Sequence, residues 1–215
     1  MKTLLRRTRR AFLLAACGCV ALALLAGCEG GGGGGGAASG HDFGQNDPNL
    51  YVAMGDSITA GGWPGILSAK LGSPVVNRGT PGAQSSRGAA EVSGTLSRYR
   101  PGYLLILYGA NDAIHQLDPA GTEANLRAMI GAAQANNTIP IIGTVTPMYG
   151  DHSQFTASVD ELNRHIRSVA SATGTRVADL HKGFGGNMSL ISADGLHPTP
   201  AGQDRIASIF YGRVK

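Results

Sequence analysis

The sequence predicts a three-layer α/β/α fold, in which a parallel five-stranded sheet lies between two layers of helices. Short apolar runs, typical of strands buried on both faces, alternate with segments whose apolar residues recur at helical spacing. Such alternation favours a parallel sheet, because each helix returns the chain to the start of the next strand. The stretch from Leu50 to Lys215 has the length of one ordinary domain.

Four apolar runs predict strands that are buried on both faces, and a weaker fifth run predicts one more strand. They are Leu50–Met54, Pro74–Asn77, Tyr103–Tyr108, Ile139–Val145 and Arg176–Asp179.

Three segments predict the main helices. One apolar stripe precedes the fourth strand (Leu126, Met129, Ile130, Ala133), and another follows it (Val159, Leu162, Ile166, Val169, Ala170). Ser158 and Glu161 have the spacing of a capping box near the start of the second of these helices. Thr199-Pro200 predicts the cap and first residue of a final helix. Trp63-Pro64 is expected to pack the first helix against the sheet.

The first 27 residues have the features of a secretory signal peptide. Basic residues from Lys2 to Arg10 precede an apolar stretch, Ala11 to Ala26. The ending Leu25–Cys28 resembles a bacterial lipobox, which implies cleavage before Cys28 and lipidation of its thiol. An ordinary signal peptide with an incidental cysteine is the alternative. Thr8–Leu13 also resembles a twin-arginine signal, so both Sec and Tat export remain open.

Residues 28–49 are expected to form a disordered tether, because the run Gly30–Gly36 and the polar residues after it cannot bury apolar surface. Lipidated Cys28 would then attach the protein to a membrane of the bacterial cell envelope. Glu29 follows the cysteine where an aspartate often marks inner-membrane retention, which favours the outer membrane or the periplasmic face.

Charge and cysteine content exclude several classes of partner. The chain has 18 Lys and Arg against 14 Asp and Glu, and five of the basic residues belong to the signal. Their removal leaves 13 against 14, a net charge of −1, which does not favour nucleic acid binding. All three cysteines lie within residues 1–28, and the histidines lack the spacing of a metal site. We therefore expect no cofactor, no metal and a monomer.

Three polar motifs follow the first three predicted strands. Ser57 comes after the first, Asn77–Gly82 after the second and Gly109–Asp112 after the third. Loops that leave the carboxyl ends of parallel strands meet at one edge of the sheet, so one substrate could contact all three motifs.

Asp194 and His197 lie three residues apart near the carboxyl terminus, where Gly195 allows one tight turn. A serine hydroxyl is a weak nucleophile that needs an adjacent base, and a carboxylate fixes the tautomer of that base. Ser57, His197 and Asp194 together therefore predict a serine hydrolase.

Four blocks resemble, in order, those of the GDSL, or SGNH, hydrolase family: Gly55–Thr59, Gly82, Gly109–Asp112 and Asp194–Pro198. The resemblance covers residues 50–215 and implies a flavodoxin-like sheet. It also implies that Ser57 is the nucleophile, His197 the general base and Asp194 the residue that orients it.

The same resemblance implies an oxyanion hole made by the backbone N–H groups of Ser57 and Gly82 and the side-chain amide of Asn111. Gly79 is the alternative to Gly82. Ser57 lacks a Gly-x-Ser-x-Gly motif, which disfavours the α/β-hydrolase fold. Asp56 and Asp112 are expected to be structural. His115, Pro147 and Met148 are candidate substrate-binding residues.

These features predict an extracytoplasmic serine esterase that forms an acyl-Ser57 intermediate. Few residues separate Ser57 from Trp63, so we expect an open, shallow pocket for short-chain, aryl or carbohydrate acetyl esters. A lysophospholipase or thioesterase acting on longer acyl chains is the first alternative. An inactive protein that binds envelope glycans is a second, and acyl transfer to a sugar hydroxyl would use the same residues as hydrolysis.

Overall fold

Five parallel strands form the sheet in the computed structural model, which describes residues 40–215. They are β1 (Asp47–Gly55), β2 (Val75–Gly79), β3 (Pro101–Leu107), β4 (Ile139–Gly143) and β5 (Arg176–Ala178). The strand order is β2-β1-β3-β4-β5, and every neighbouring pair is parallel. The predicted fold class is confirmed.

Within this part of the chain eight helices accompany the sheet, the first six between strands and the last two after β5: α1 (Ser57–Ala60), α2 (Trp63–Leu71), α3 (Ser85–Tyr99), α4 (Ala110–Ile114), α5 (Pro119–Ala135), α6 (Thr156–Thr173), α7 (Leu180–Phe184) and α8 (Pro200–Val214). Two short 3₁₀ turns cover Gly150–Phe155 and Met188–Leu190. Helices α3, α5 and α6 pack side by side in one layer, and α2, α7 and α8 form the other. None of the helices described could cross a membrane, because none is both long and apolar enough.

The register places the carboxyl ends of the first three strands at the same level. Gly55, the last residue of β1, pairs with Gly79 of β2 and with Leu107 of β3. The loops after these residues therefore leave the sheet side by side, as the motif positions predict.

Burial along the strands differs from the expectation in one respect. Strand β3 is buried along its whole length and β1 along its second half, but Asn77 and Arg78 of β2 are exposed. The prediction that β2 is buried on both faces is wrong, because this strand lies at the edge of the sheet.

The helix starts support one prediction and correct another. Thr199 caps α8 by accepting a hydrogen bond from the Gly202 N–H at 3.2 Å, and Pro200 is the first helical residue. The capping box at Ser158 is wrong: α6 begins at Thr156, because the preceding 3₁₀ turn leads directly into it. Ser158 therefore already lies within the helix.

Trp63 holds two helices of the same layer together. Its ring stacks on Phe210 of α8 with the centroids 4.5 Å apart and the planes 6° from parallel. Trp63 is completely buried, so the aromatic pair fixes α2 against α8.

The chain before β1 lies along the amino edge of the sheet. Residues 41–46, here called the N-terminal arm, are fastened by Asn46, whose amide donates to the Asn136 carbonyl at 2.5 Å, and by His41, whose Nε2 lies 3.2 Å from the Asn137 carbonyl. Phe43 packs against Tyr103.

Strand β1 begins three residues before the expected domain start at residue 50. The proposed signal peptide, Cys28 and the glycine run lie outside the described residues.

Candidate active site

Ser57 is positioned by the sharp transition from β1 to α1. It is the first residue of α1, and Asp56 caps the helix by accepting a hydrogen bond from the Ile58 N–H at 2.9 Å. Gly55 packs so closely on β3 that a Cβ atom would lie 2.5 Å from the Leu107 carbonyl oxygen. The backbone around Ser57 is thus fixed by its two preceding residues.

His197 lies between Ser57 and Asp194. Its Nε2 is 3.0 Å from the Ser57 Oγ, and its Nδ1 is 2.6 Å from the Asp194 Oδ2. A carboxylate accepts only, so the Nδ1 carries a proton and the neutral ring presents an Nε2 lone pair to the Ser57 hydroxyl. The structure therefore brings the three predicted residues together, although Ser57 and His197 are 140 residues apart in sequence.

The turn from Ser192 to His197, called the Asp–His turn below, is organised largely by Asp194. Its Oδ1 accepts hydrogen bonds from the backbone N–H groups of Leu196 (2.9 Å) and His197 (3.0 Å) and from the Ser192 hydroxyl (2.8 Å). Partial burial would raise the pKa of Asp194. The bonds from Leu196, the His197 ring and N–H, and Ser192 outweigh it and hold the pKa well below its usual value. The carboxylate stays ionised beside His197.

Gly195 allows this turn to pack against the loop after β4. Its φ is +75°, a left-handed conformation that side chains disfavour. A Cβ atom at Gly195 would also overlap the Tyr149 carbonyl oxygen. The Tyr149 N–H donates to the Gly195 carbonyl at 2.8 Å, so the two backbones are in direct contact.

The loop after β2 distinguishes the two candidate glycines. The Gly79 N–H donates to the Asn77 Oδ1 at 2.8 Å, and a Cβ atom at Gly79 would overlap the backbone of α1. Gly82 has φ +75° with open space where its Cβ would lie, and its N–H has no hydrogen-bond acceptor within the described chain. Gly82, rather than Gly79, has a donor free for a substrate.

Asn111 and Asp112 tie α4 to the Gly82 loop. The Asn111 Nδ2 donates to the Ala83 carbonyl at 3.0 Å, which leaves its second amide hydrogen for a ligand. Buried Asp112 accepts hydrogen bonds from the Ser85 N–H (3.0 Å) and from the Ser85 and Thr122 hydroxyls. Asp112 thus holds the start of α3 to α4 and α5, in agreement with its expected structural role.

Asp56 is a buried carboxyl next to the nucleophile. It is 1% exposed, and burial raises its pKa to about 6. The hydrogen bond from Ile58 and the charge of His197 oppose this rise, and the charge of Asp112 adds to it. Asp56 bonds to the backbone, as expected.

The three candidate substrate-binding residues have different positions. Pro147 and Met148 are buried in the loop after β4, and Met148, 4% exposed, belongs to the hydrophobic core. His115 is exposed at the end of α4, four residues after Asn111. Of these three, His115 alone has a side chain accessible to a ligand.

Two residues that the sequence analysis did not single out form hydrogen bonds with Asp194. Ser192 precedes Asp194 by two residues, a spacing typical of local turn bonds that could have indicated it. His152 lies 42 residues away and places its Nδ1 2.8 Å from the Asp194 carbonyl oxygen. No local signal marks that contact. Within residues 40–215 no three His, Cys, Asp or Glu side chains cluster as metal ligands.

Comparisons with known proteins identify the family to which the chain belongs. A model described as the GDSL-like lipase/acylhydrolase family matches residues 53–205. The esterase TesA of Pseudomonas aeruginosa is 28% identical over 179 residues, covering 76% of this chain and 87% of the relative. Thioesterase 1/protease 1/lysophospholipase L1 of Escherichia coli is 32% identical over 100 residues, covering 42% and 48%.

Solved structures show the same fold. A crystal structure of TesA matches with a TM-score of 0.69 at 25% identity, covering 77% of this chain and 98% of that one. The acetyl xylan esterase AlAXEase matches with a TM-score of 0.71, covering 77% and 100%, but at 19% identity this likeness shows the fold alone. Sequence match and fold together show that the chain belongs to the GDSL-like lipase/acylhydrolase family and is a serine ester hydrolase.

Proposed function

We propose that the protein hydrolyses carboxylic esters through an acyl-Ser57 intermediate. The observation that carries this proposal is the continuous line of hydrogen bonds from Asp194 through His197 to the Ser57 Oγ, with distances of 2.6 and 3.0 Å. A serine within 3.0 Å of an oriented imidazole can lose its proton as it attacks a carbonyl carbon.

The reaction then follows from the positions of these groups. His197 takes the Ser57 proton as the Oγ–carbon bond forms, and ionised Asp194 stabilises the resulting imidazolium. The backbone N–H groups of Ser57 and Gly82 and the free Asn111 amide hydrogen stabilise the oxyanion. His197 protonates the departing alkoxide as the carbon–oxygen bond breaks. A water molecule then attacks the acyl carbon while His197 takes its proton, and His197 returns a proton to the Ser57 Oγ as the acyl group leaves as the acid.

Short-chain, aryl or carbohydrate acetyl esters are the proposed substrates. The side chains of His197 and Asp194 are 44% and 46% exposed, which supports an open site. Pro147 and Met148, the apolar residues considered for acyl contacts, are turned into the core. An open site with few apolar contacts offers long acyl chains little binding energy.

Lysophospholipase or thioesterase action on longer acyl chains is the second candidate. A cavity of about 150 Å³ lies beside α4, and its lining includes Ala113, Leu117 and Leu162. These apolar residues, which share the lining with polar ones such as Gln116 and Glu161, are the feature that favours contact with a longer acyl chain. The Escherichia coli relative carries both activities in its name. Because the chain is an ester hydrolase, the inactive glycan-binding alternative does not apply.

Hydrolysis of p-nitrophenyl acetate, butyrate and palmitate separates these candidates, with Ser57→Ala as the control. We expect kcat/KM to be highest for acetate or butyrate and to fall by orders of magnitude in Ser57→Ala. A preference for palmitate would favour the longer-chain activity. Equal turnover in both proteins would refute the acyl-Ser57 mechanism.

We also propose that the protein is exported as a lipoprotein by the Sec or Tat route and acts as a monomer in the cell envelope. The support for export and lipidation is the sequence of the first 28 residues alone. Incorporation of a labelled fatty acid, lost in Cys28→Ser, tests lipidation. Unlabelled wild-type protein recovered in the soluble fraction would refute it.

A further inference from the structure

We propose that His152 is a positioning residue that holds the carbonyl of Asp194, and through it the Asp–His turn, in register with Ser57. The inference rests on the proposed roles of Asp194, His197 and Ser57. It assigns to His152 a part in catalysis without contact with the substrate.

The Asp–His turn has few attachments to the rest of the protein. Its internal bonds join Asp194 to Ser192 and to the backbone of residues 196 and 197, so they fix the shape of the turn but not its position. Besides the bond to Ser57 itself, two hydrogen bonds among the described residues reach it from outside. They are the Tyr149 N–H to the Gly195 carbonyl and the His152 Nδ1 to the Asp194 carbonyl, each 2.8 Å long.

These two bonds hold consecutive peptide groups, and both come from the loop after β4. The Ile191–Pro198 bridge closes the base of the turn, and the two bonds to adjacent carbonyls restrain the orientation of its tip more tightly than one bond alone would. The backbone N–H of His152 also donates to the Tyr149 carbonyl at 3.0 Å. The two donors to the Asp–His turn, the Tyr149 N–H and the His152 ring, therefore belong to one 3₁₀ turn and its cap. The imidazole therefore limits how far His197 can turn away from the Ser57 Oγ.

The chemistry of the contact defines the test. A carbonyl oxygen only accepts, so the His152 Nδ1 must carry the proton, whether the ring is neutral or charged. Asparagine places an amide N–H at nearly the position of this Nδ1, whereas the amide of glutamine lies one bond farther from the backbone. A positioning role predicts that asparagine replaces His152 and glutamine does not.

The experiment compares His152→Ala, His152→Asn and His152→Gln in p-nitrophenyl butyrate hydrolysis. We expect kcat to fall about tenfold in His152→Ala and His152→Gln and to stay within about threefold of wild type in His152→Asn. KM should change by less than about twofold in all three, because His152 does not touch substrate. His41→Ala is the matched control, since it also breaks an imidazole–carbonyl bond, but at the opposite edge of the sheet.

Three outcomes would overturn the inference: wild-type kcat in His152→Ala, equal losses in His152→Asn and His152→Gln, or a change confined to KM. If His152→Ala does not fold, the comparison of the two amides decides. Loss of activity in Ser57→Ala tests the proposed mechanism separately. If all three His152 variants keep wild-type kcat while Ser57→Ala loses activity, the positioning role alone is refuted.

Discussion

Substitution of Gly195 by alanine should impair catalysis as well as stability. The left-handed φ of +75° costs a non-glycine residue about 1–3 kcal/mol. The new methyl group would also overlap the Tyr149 carbonyl, so the Asp–His turn must withdraw by about 1 Å, a displacement that can lower kcat about 10²-fold. We expect a kcat loss of that order with p-nitrophenyl butyrate and a lower Tm.

Gly174→Ala separates the two effects. Gly174 ends α6 with φ +65°, and nothing lies within 4 Å of the place where its Cβ would be. This variant should lose about 1 kcal/mol of stability, for the backbone conformation alone, and keep wild-type kcat. Wild-type kcat in Gly195→Ala as well would refute the argument that close packing against Tyr149 positions the catalytic residues.

Two further predictions concern Asn111 and Asp56. Asn111→Ala should lower kcat about 10²–10³-fold with little change in KM, because it removes an oxyanion donor; a loss confined to KM in steady-state kinetics would contradict that role. The folded pKa of Asp56, about 6, lies above its unfolded value near 3.8, so the folded state binds the proton more tightly. Stability should therefore fall by roughly 3 kcal/mol in all as the pH rises from about 3 to 7, most of it between about 4 and 6. In urea unfolding Asp56→Asn should lack this contribution to the pH dependence, while its amide oxygen still accepts from the Ile58 N–H, and an unchanged pH profile would show that Asp56 does not titrate in this range.

Much of the fold and of the site geometry follows from local sequence. Apolar runs and helical stripes predicted the strands in order, and parallel strands require the following loops to meet at one edge. That rule predicts that Ser57, Gly82 and Asn111 lie at neighbouring strand ends. The Asp–His turn was predictable because its geometry depends on residues within a span of six.

What the sequence did not predict depends on contacts between distant segments. The exposure of β2 depends on strand order, which apolar content alone does not determine. Pro147 and Met148 follow a strand at the edge that bears Ser57, and only the packing of that loop turns them inward. His152 contacts Asp194 across 42 residues, and no motif around His152 distinguishes it from the other histidines of the chain.

The N-terminal arm has a practical consequence for the use of the enzyme on solid supports. It runs along the amino edge of the sheet, while Ser57 follows the other end of β1. A strand of nine residues separates the two, about 30 Å at the usual rise per residue. A carrier joined ahead of residue 40 would therefore connect at the end of the domain opposite the nucleophile. Immobilisation at that end should leave the catalytic groups accessible even to bulky, polymeric esters, whereas coupling near the Asp–His turn should not.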